Sequence, residues 1–296
     1  MRVNQWLKNM VIFTAILFSG KLFDIERLIL CVIGLIIFCL LSSATYLLND
    51  IIDYNFDIKH PVKKLRPIAA GLISLPEATF TVFILTLVTL IAAIFFSHFT
   101  SYLFFTICLT FMLLNFFYSL YLKKQPVIDI FAISFSFMLR AFAGEVISGY
   151  HIPIWLLLTI FYGSLFMASV KRHAELVVQG SSARQSLERY KSHLIDFLTY
   201  IFATATILAY STYTYSPDAT NLSAVRFLSH KFPTLETRKW MMISIPFVVY
   251  GIARYAQLLY EKAQGERPEH VITTDKPLVA TIILWGLIVV GLIYVL

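Results

Sequence analysis

Charge is what this 296-residue sequence has least of. Asp, Glu, Lys and Arg make up 14% of it, against 58% hydrophobic residues. Mean hydropathy is +0.76, which excludes a water-soluble domain of ordinary size. Cysteine is scarce too, three in all. Cys31, Cys39 and Cys108 lie inside apolar runs, so they read as small apolar residues and not as disulfide or metal partners. No Walker loop, no nucleophilic Ser/His/Asp set and no zinc-ligand spacing occurs. The first apolar run lacks a small-x-small cleavage site, and Leu22 and Phe23 continue its apolar character, so it reads as retained and not as a signal peptide. No convincing internal repeat of the kind common in transporters is visible.

What the sequence has instead is length in hydrocarbon. Apolar runs of about twenty residues read as membrane helices. About nine are expected, over 9–21, 27–48, 77–97, 101–122, 127–147, 153–170, 194–214, 240–260 and 277–296. The fold class is therefore an all-α polytopic membrane bundle, one transmembrane domain over 1–296. With the N-terminus inside, the inner segments hold about sixteen Lys and Arg and the outer ones about six. The positive-inside rule then favours N-in, C-out in a cell membrane. Topology and anionic substrates explain the net charge of +7, so nucleic acid is not an expected partner. The same orientation gathers the polar residues on the cytoplasmic side, in a cleft that opens there.

Asn49-Asp50-Ile51-Ile52-Asp53-Tyr54-Asn55-Phe56-Asp57 closes the second run. Carboxylates at a membrane helix end need a cation or a functional reason. Asp50, Asp53 and Asp57 are three and four apart, so a continuous helix would put all three on one face. Such a face suits magnesium, which takes oxygens from carboxylates and substrate phosphates and keeps some waters.

Basic residues follow at once. Lys59-His60-Pro61-Val62-Lys63-Lys64-Leu65-Arg66-Pro67 reads either as a topology-setting loop against lipid headgroups or as a clamp for phosphate oxygens. Pro67 and Gly71 would turn it back to the membrane. Lys171-Arg172-His173-Ala174-Glu175 ends the sixth run. It is either a helix-end ion pair with snorkelling stems or a second cluster, with Glu175 on metal and Lys171 or Arg172 on phosphate. His173 is expected on the surface or lining the cleft. Trp6 fits an interfacial anchor, and Lys8 and Asn9 could face the cleft. Arg140 sits mid-helix, either paired with Glu145 or Asp129 or lining a cavity. Arg254 leans towards a lipid-phosphate or diphosphate contact. Residues 172–193 are expected to form short interfacial helices that cap the cleft and exclude water.

A metal-bound carboxylate cluster beside many cations argues for a diphosphate leaving group. Magnesium neutralises it and basic side chains hold its outer oxygens. The residues alone thus describe a magnesium-dependent intramembrane transferase.

The Asn49-Asp50-x-x-Asp53-x-x-x-Asp57 pattern, the following Lys63, Arg66-Pro67 and Gly71, and nine helices resemble the UbiA superfamily of intramembrane prenyltransferases across essentially the whole chain. Most members carry a second Asp-x-x-x-Asp motif after the sixth helix, where this chain has Lys171-Arg172-His173-Ala174-Glu175-Leu176. That departure resembles the branch of decaprenyl-phosphate phosphoribosyltransferases. So do Gln5-Trp6-x-Lys8-Asn9 near the start and Gln125-Pro126-Val127-x-Asp129 opening the fifth helix.

The resemblance implies transfer of 5-phosphoribose from phosphoribosyl diphosphate (PRPP) to a polyprenyl phosphate, feeding arabinose donor synthesis for the cell envelope. By the same resemblance Asp50, Asp53 and Asp57 bind magnesium and diphosphate, Asn49 orients ligand, and Glu175 replaces the second-motif carboxylate. Lys63, Arg66, Lys171 and Arg172 contact phosphates. The polyprenyl tail lies along apolar helices, open to the bilayer. Homo-oligomer formation stays open. The competing enzyme reading is a prenyl diphosphate donor with an aromatic or tetrapyrrole acceptor; a lipid or ion transporter is the alternative of another class.

Overall fold

The computed structural model describes residues 3–59, 63–179, 192–216, 239–262 and 274–295. Among these every regular element is helical, and eight helices are long and apolar enough to cross a membrane. They account for eight of the nine expected spans.

The ninth, the first run, differs. It is a 3₁₀ stretch, Val3–Phe13, passing into a short helix α1, Thr14–Phe18. A 3₁₀ helix rises about 2.0 Å per residue against about 1.5 Å in an α-helix, so a short run reaches further along its axis.

Helix α2 (Ile25–Ile52) starts at Asp24, whose carboxylate accepts the Arg27 N–H at 3.3 Å. A single turn, α3 (Tyr54–Asp57), follows. The basic loop then folds back through Gly71, whose φ of 74° is a left-handed value suited to glycine. It ends at Ser74, which forms a capping box with Glu77: the Glu77 N–H donates to Ser74 Oγ at 3.4 Å and the Ser74 N–H to Glu77 Oε2 at 2.9 Å. That cap starts α4 (Leu75–Ser97). Helices α5 (Tyr102–Leu120) and α6 (Ile128–Ser148) are joined by a tight turn at Leu122–Lys124. Helix α7 (Ile154–Gln179), α8 (Ser192–Tyr215), the short α9 (Lys239–Met242), α10 (Ile245–Lys262) and α11 (Lys276–Val290) complete the chain.

The expected interfacial helices over 172–193 are corrected in part. Residues up to 179 continue α7 without a break, because nothing in Lys171–Gln179 stops a helix. Residues 180–191 lie outside the described residues, as do the loop residues 60–62.

The chain divides into two compact units. Unit 1 holds residues 1–16, 22–132 and 139–150. Its core is an apolar cluster that includes Ile12, Ile16, Phe38, Leu41, Phe96, Phe104, Phe111 and Ile147. In hydrocarbon the gain comes from close van der Waals packing and not from escaping water. Small residues allow it: a Cβ built on Gly144 would lie 1.9 Å from the Ile12 carbonyl oxygen, so the backbones of the first run and α6 touch.

Unit 2 holds residues 17–21, 133–138 and 151–296. Here α7 packs along α8, and α10 packs against α8 and α11. The buried Tyr210 hydroxyl joins three elements of this unit: it lies 2.7 Å from Ser244 Oγ and accepts from Trp285 Nε1 at 2.8 Å.

Candidate functional site

Helix α2 does not run unbroken through its three aspartates. It ends at Ile52, and Asp53 occupies the junction with φ −87° and ψ 2° before α3 begins. That break corrects the single face expected for all three. Asp50 and Asp57 stay together, two turns apart and both buried, while Asp53 turns to a different partner.

Arg66, returning from the basic loop, sits between the first two. Its Nη1 donates to Asp50 Oδ1 at 3.0 Å and to Asp57 Oδ2 at 2.5 Å. Asp53 takes a cation the sequence reading did not single out. Lys123, buried in the turn after α5, donates from Nζ to Asp53 Oδ1 at 2.5 Å and to Asn49 Oδ1 at 3.3 Å. Asn49 in turn donates to Asp53 Oδ2 at 3.0 Å. Lys123 was legible only as half of a basic pair in a turn. The signal that could have found it is the tightness of that turn, which fixes Lys123 beside the end of a neighbouring helix.

These donors fit magnesium by type. The ion prefers oxygen and is commonly held by one or two carboxylates plus substrate phosphates. Asp50 and Asp57 already converge on one positively charged nitrogen. Among the described residues no group of three His, Cys, Asp or Glu converges, so substrate oxygens and water would complete the shell.

Lys63 is half-buried in a short 3₁₀ turn three residues before Arg66. Lys8 is half-buried in the first run. Its neighbour Asn9 is fully buried and accepts from Arg140 Nε at 2.7 Å and Ser42 Oγ at 3.2 Å. Arg140 also hydrogen-bonds Tyr46 and lies over the Phe111 ring at 4.6 Å. This membrane-depth arginine therefore sits among neutral polar groups and an aromatic face. Trp6, expected at the interface, points inward and donates to Ser43 Oγ at 3.0 Å.

In unit 2, Glu175 pairs with Arg172 one helical turn away, and both side chains are buried. Lys171 is half-buried. His173 is buried, which sets aside the surface position that was one of its two expected places. It lies against the Tyr260 ring at 4.3 Å with Nε2 3.3 Å from Asp196 Oδ1. Tyr260 donates to Asp196 at 2.8 Å. Arg254 forks onto Asp275, with Nε 3.2 Å from Oδ1 and Nη2 2.8 Å from Oδ2. That geometry ties α10 to the start of α11, and a phosphate contact would require Arg254 to leave it.

Residues 10–176 match the UbiA prenyltransferase family. The chain is 32% identical over 302 residues to a decaprenyl-phosphate phosphoribosyltransferase of Corynebacterium glutamicum, covering all of this chain and 86% of that protein. It is 32% identical to the protein of the same name in Mycolicibacterium smegmatis, over 96% of this chain and 88% of that one. Among solved structures it resembles a UbiA homolog from Archaeoglobus fulgidus bound to GPP and Mg2+, with a TM-score of 0.66 at 17% identity, covering 99% of this chain and 97% of that one. At that identity the likeness speaks to the fold.

Proposed function

Because the chain belongs to the UbiA prenyltransferase family of membrane enzymes, we infer that it transfers 5-phosphoribose from PRPP to a polyprenyl phosphate of the decaprenyl type and releases diphosphate. The observation that carries this reading is the 32% identity to decaprenyl-phosphate phosphoribosyltransferases over 96% or more of the chain. The product would feed arabinose donor synthesis for the cell envelope. The whole chain acts as one domain, with its polar residues on the cytoplasmic side.

An oxygen of the acceptor phosphate attacks C1 of the ribose, and the C1–O bond to diphosphate breaks with its electron pair leaving on the diphosphate. The acceptor is already an anion at neutral pH, so no strong base is needed. Catalysis then rests on holding the two reactants in line. Asp50, Asp53 and Asp57 are the residues to hold magnesium, with Glu175 as a further carboxylate. When bound, the metal supplies charge neutralisation for the departing diphosphate. Asn49 orients ligand, and Arg66, Lys63, Lys171 and Arg172 take phosphate oxygens by charge-assisted hydrogen bonds. Three phosphate-bearing groups meet in this reaction, which suits a chain with the adjacent cations Lys171-Arg172 at the end of its sixth apolar run.

The test is a two-donor assay on the purified chain with magnesium. Label from ribose-labelled PRPP should enter the lipid fraction with polyprenyl phosphate as acceptor, one diphosphate released per lipid formed. Transfer from a prenyl diphosphate to an aromatic acceptor, with no label in the lipid from PRPP, would refute it.

A further inference from the structure

All four carboxylates assigned to metal are held by basic side chains. Arg66 bridges Asp50 and Asp57, Lys123 holds Asp53, and Arg172 holds Glu175. Two of those three cations are the ones assigned to phosphate. Without ligand, most of the charge of these carboxylates is therefore balanced from within the protein, three cations facing four acids.

We propose that Lys123 and Arg66 are exchangeable counter-ions of the acid face. Metal and diphosphate enter by a swap of partners, in which the carboxylates pass to the metal and the two freed cations pass to the diphosphate. The idea rests on the acid face being a metal–diphosphate site, as argued above.

The geometry supplies the reasons. Arg66 Nη1 occupies the point on which Asp50 and Asp57 converge, so a metal bridging those two must displace it. Lys123 is buried and only 2.5 Å from Asp53. Its departure without a new anion would leave a cation in a poorly solvated place, which is costly. A metal arriving alone must break these pairs and strand the cations. A diphosphate arriving alone must pull the cations away and strand the carboxylates. Together, each supplies the partner that the other removes. The two ligands are thus coupled, and by linkage each strengthens the other by the same factor. Unlike the anchoring arginines of a preformed phosphate site, Lys123 opposes the metal when diphosphate is absent and favours it when diphosphate is present.

The experiment is calorimetric titration of the full-length protein in nanodiscs with magnesium, with inorganic diphosphate, and with each in the presence of the other. In the wild type, saturating diphosphate should tighten magnesium binding by at least about tenfold, within the ordinary range of coupling between two sites. In Lys123→Met, magnesium alone should bind more tightly than in the wild type, and the gain from diphosphate should shrink. Arg66→Gln should move both quantities the same way, and it carries the test if Lys123→Met fails to fold. Magnesium alone binding the folded variant no more tightly than the wild type would overturn the exchange. So would joint binding to the wild type without coupling, and in that case the proposed function stands. No binding of magnesium and diphosphate together would instead remove the metal–diphosphate site itself, and the exchange with it.

Discussion

Asp53 is the carboxylate on which the residue-level account turns. It lies at the junction of α2 and α3, bonded to Asn49 and Lys123 and not beside the other two aspartates. Asp53→Asn, which keeps an oxygen acceptor for the buried Lys123, should leave the chain inserted and folded but lower turnover by at least about a hundredfold, the scale on which loss of one charge-stabilising group acts. Retained turnover at saturating magnesium would remove it from the ligand set. Lys171 makes a separate case. If it takes a phosphate oxygen, Lys171→Ala should raise KM for PRPP by about tenfold, the size of one charge-assisted hydrogen bond, with a smaller effect on kcat. An unchanged KM would return Lys171 to a snorkelling surface cation. The acidic motif was legible in the sequence because charge at a membrane helix end is rare. The partners were not. Which cation meets which carboxylate depends on a loop and a turn, and Lys123 reaches Asp53 across 70 positions of sequence.

Apolar runs mark a span by composition, so eight helices appear close to where the sequence puts them. The first run departs because a 3₁₀ stretch has the same composition as an α-helix and differs only in winding. One contact and one backbone conformation in these elements are open to test. Gly144 meets the Ile12 backbone, which has no flexible end to move aside. Gly144→Ala should therefore lower the thermal midpoint sharply, as overpacking costs about 1–3 kcal/mol or more; a wild-type midpoint would mean that the first run and α6 do not touch there. Val127 stands before α6 with φ 68°, a value disfavoured for a β-branched residue. Such strain is worth about 1–3 kcal/mol, against about 0.5–1 kcal/mol for the extra chain entropy of glycine. Val127→Gly should thus keep or raise the midpoint, and a clear fall in thermal scans would show the backbone is not strained.

At the scale of the whole molecule, the proposed topology places the chemistry on the cytoplasmic face and the lipid tail in the bilayer. Charge bias between loops was enough to suggest the orientation. The division into two units was invisible, since both are built from the same kind of apolar helix. The family match extends over unit 1 and into α7, and so includes both the acidic motif and the Lys171–Glu175 cluster. The central claim is that the acid face takes the diphosphate of PRPP through magnesium. Its most direct test is an experimental structure of the chain with PRPP and magnesium bound. The account predicts a metal at about 2.1 Å from oxygens of Asp50 and Asp57 and of the diphosphate, with Arg66 moved from between the carboxylates onto the diphosphate. PRPP bound elsewhere, with Arg66 still bridging Asp50 and Asp57, would contradict it.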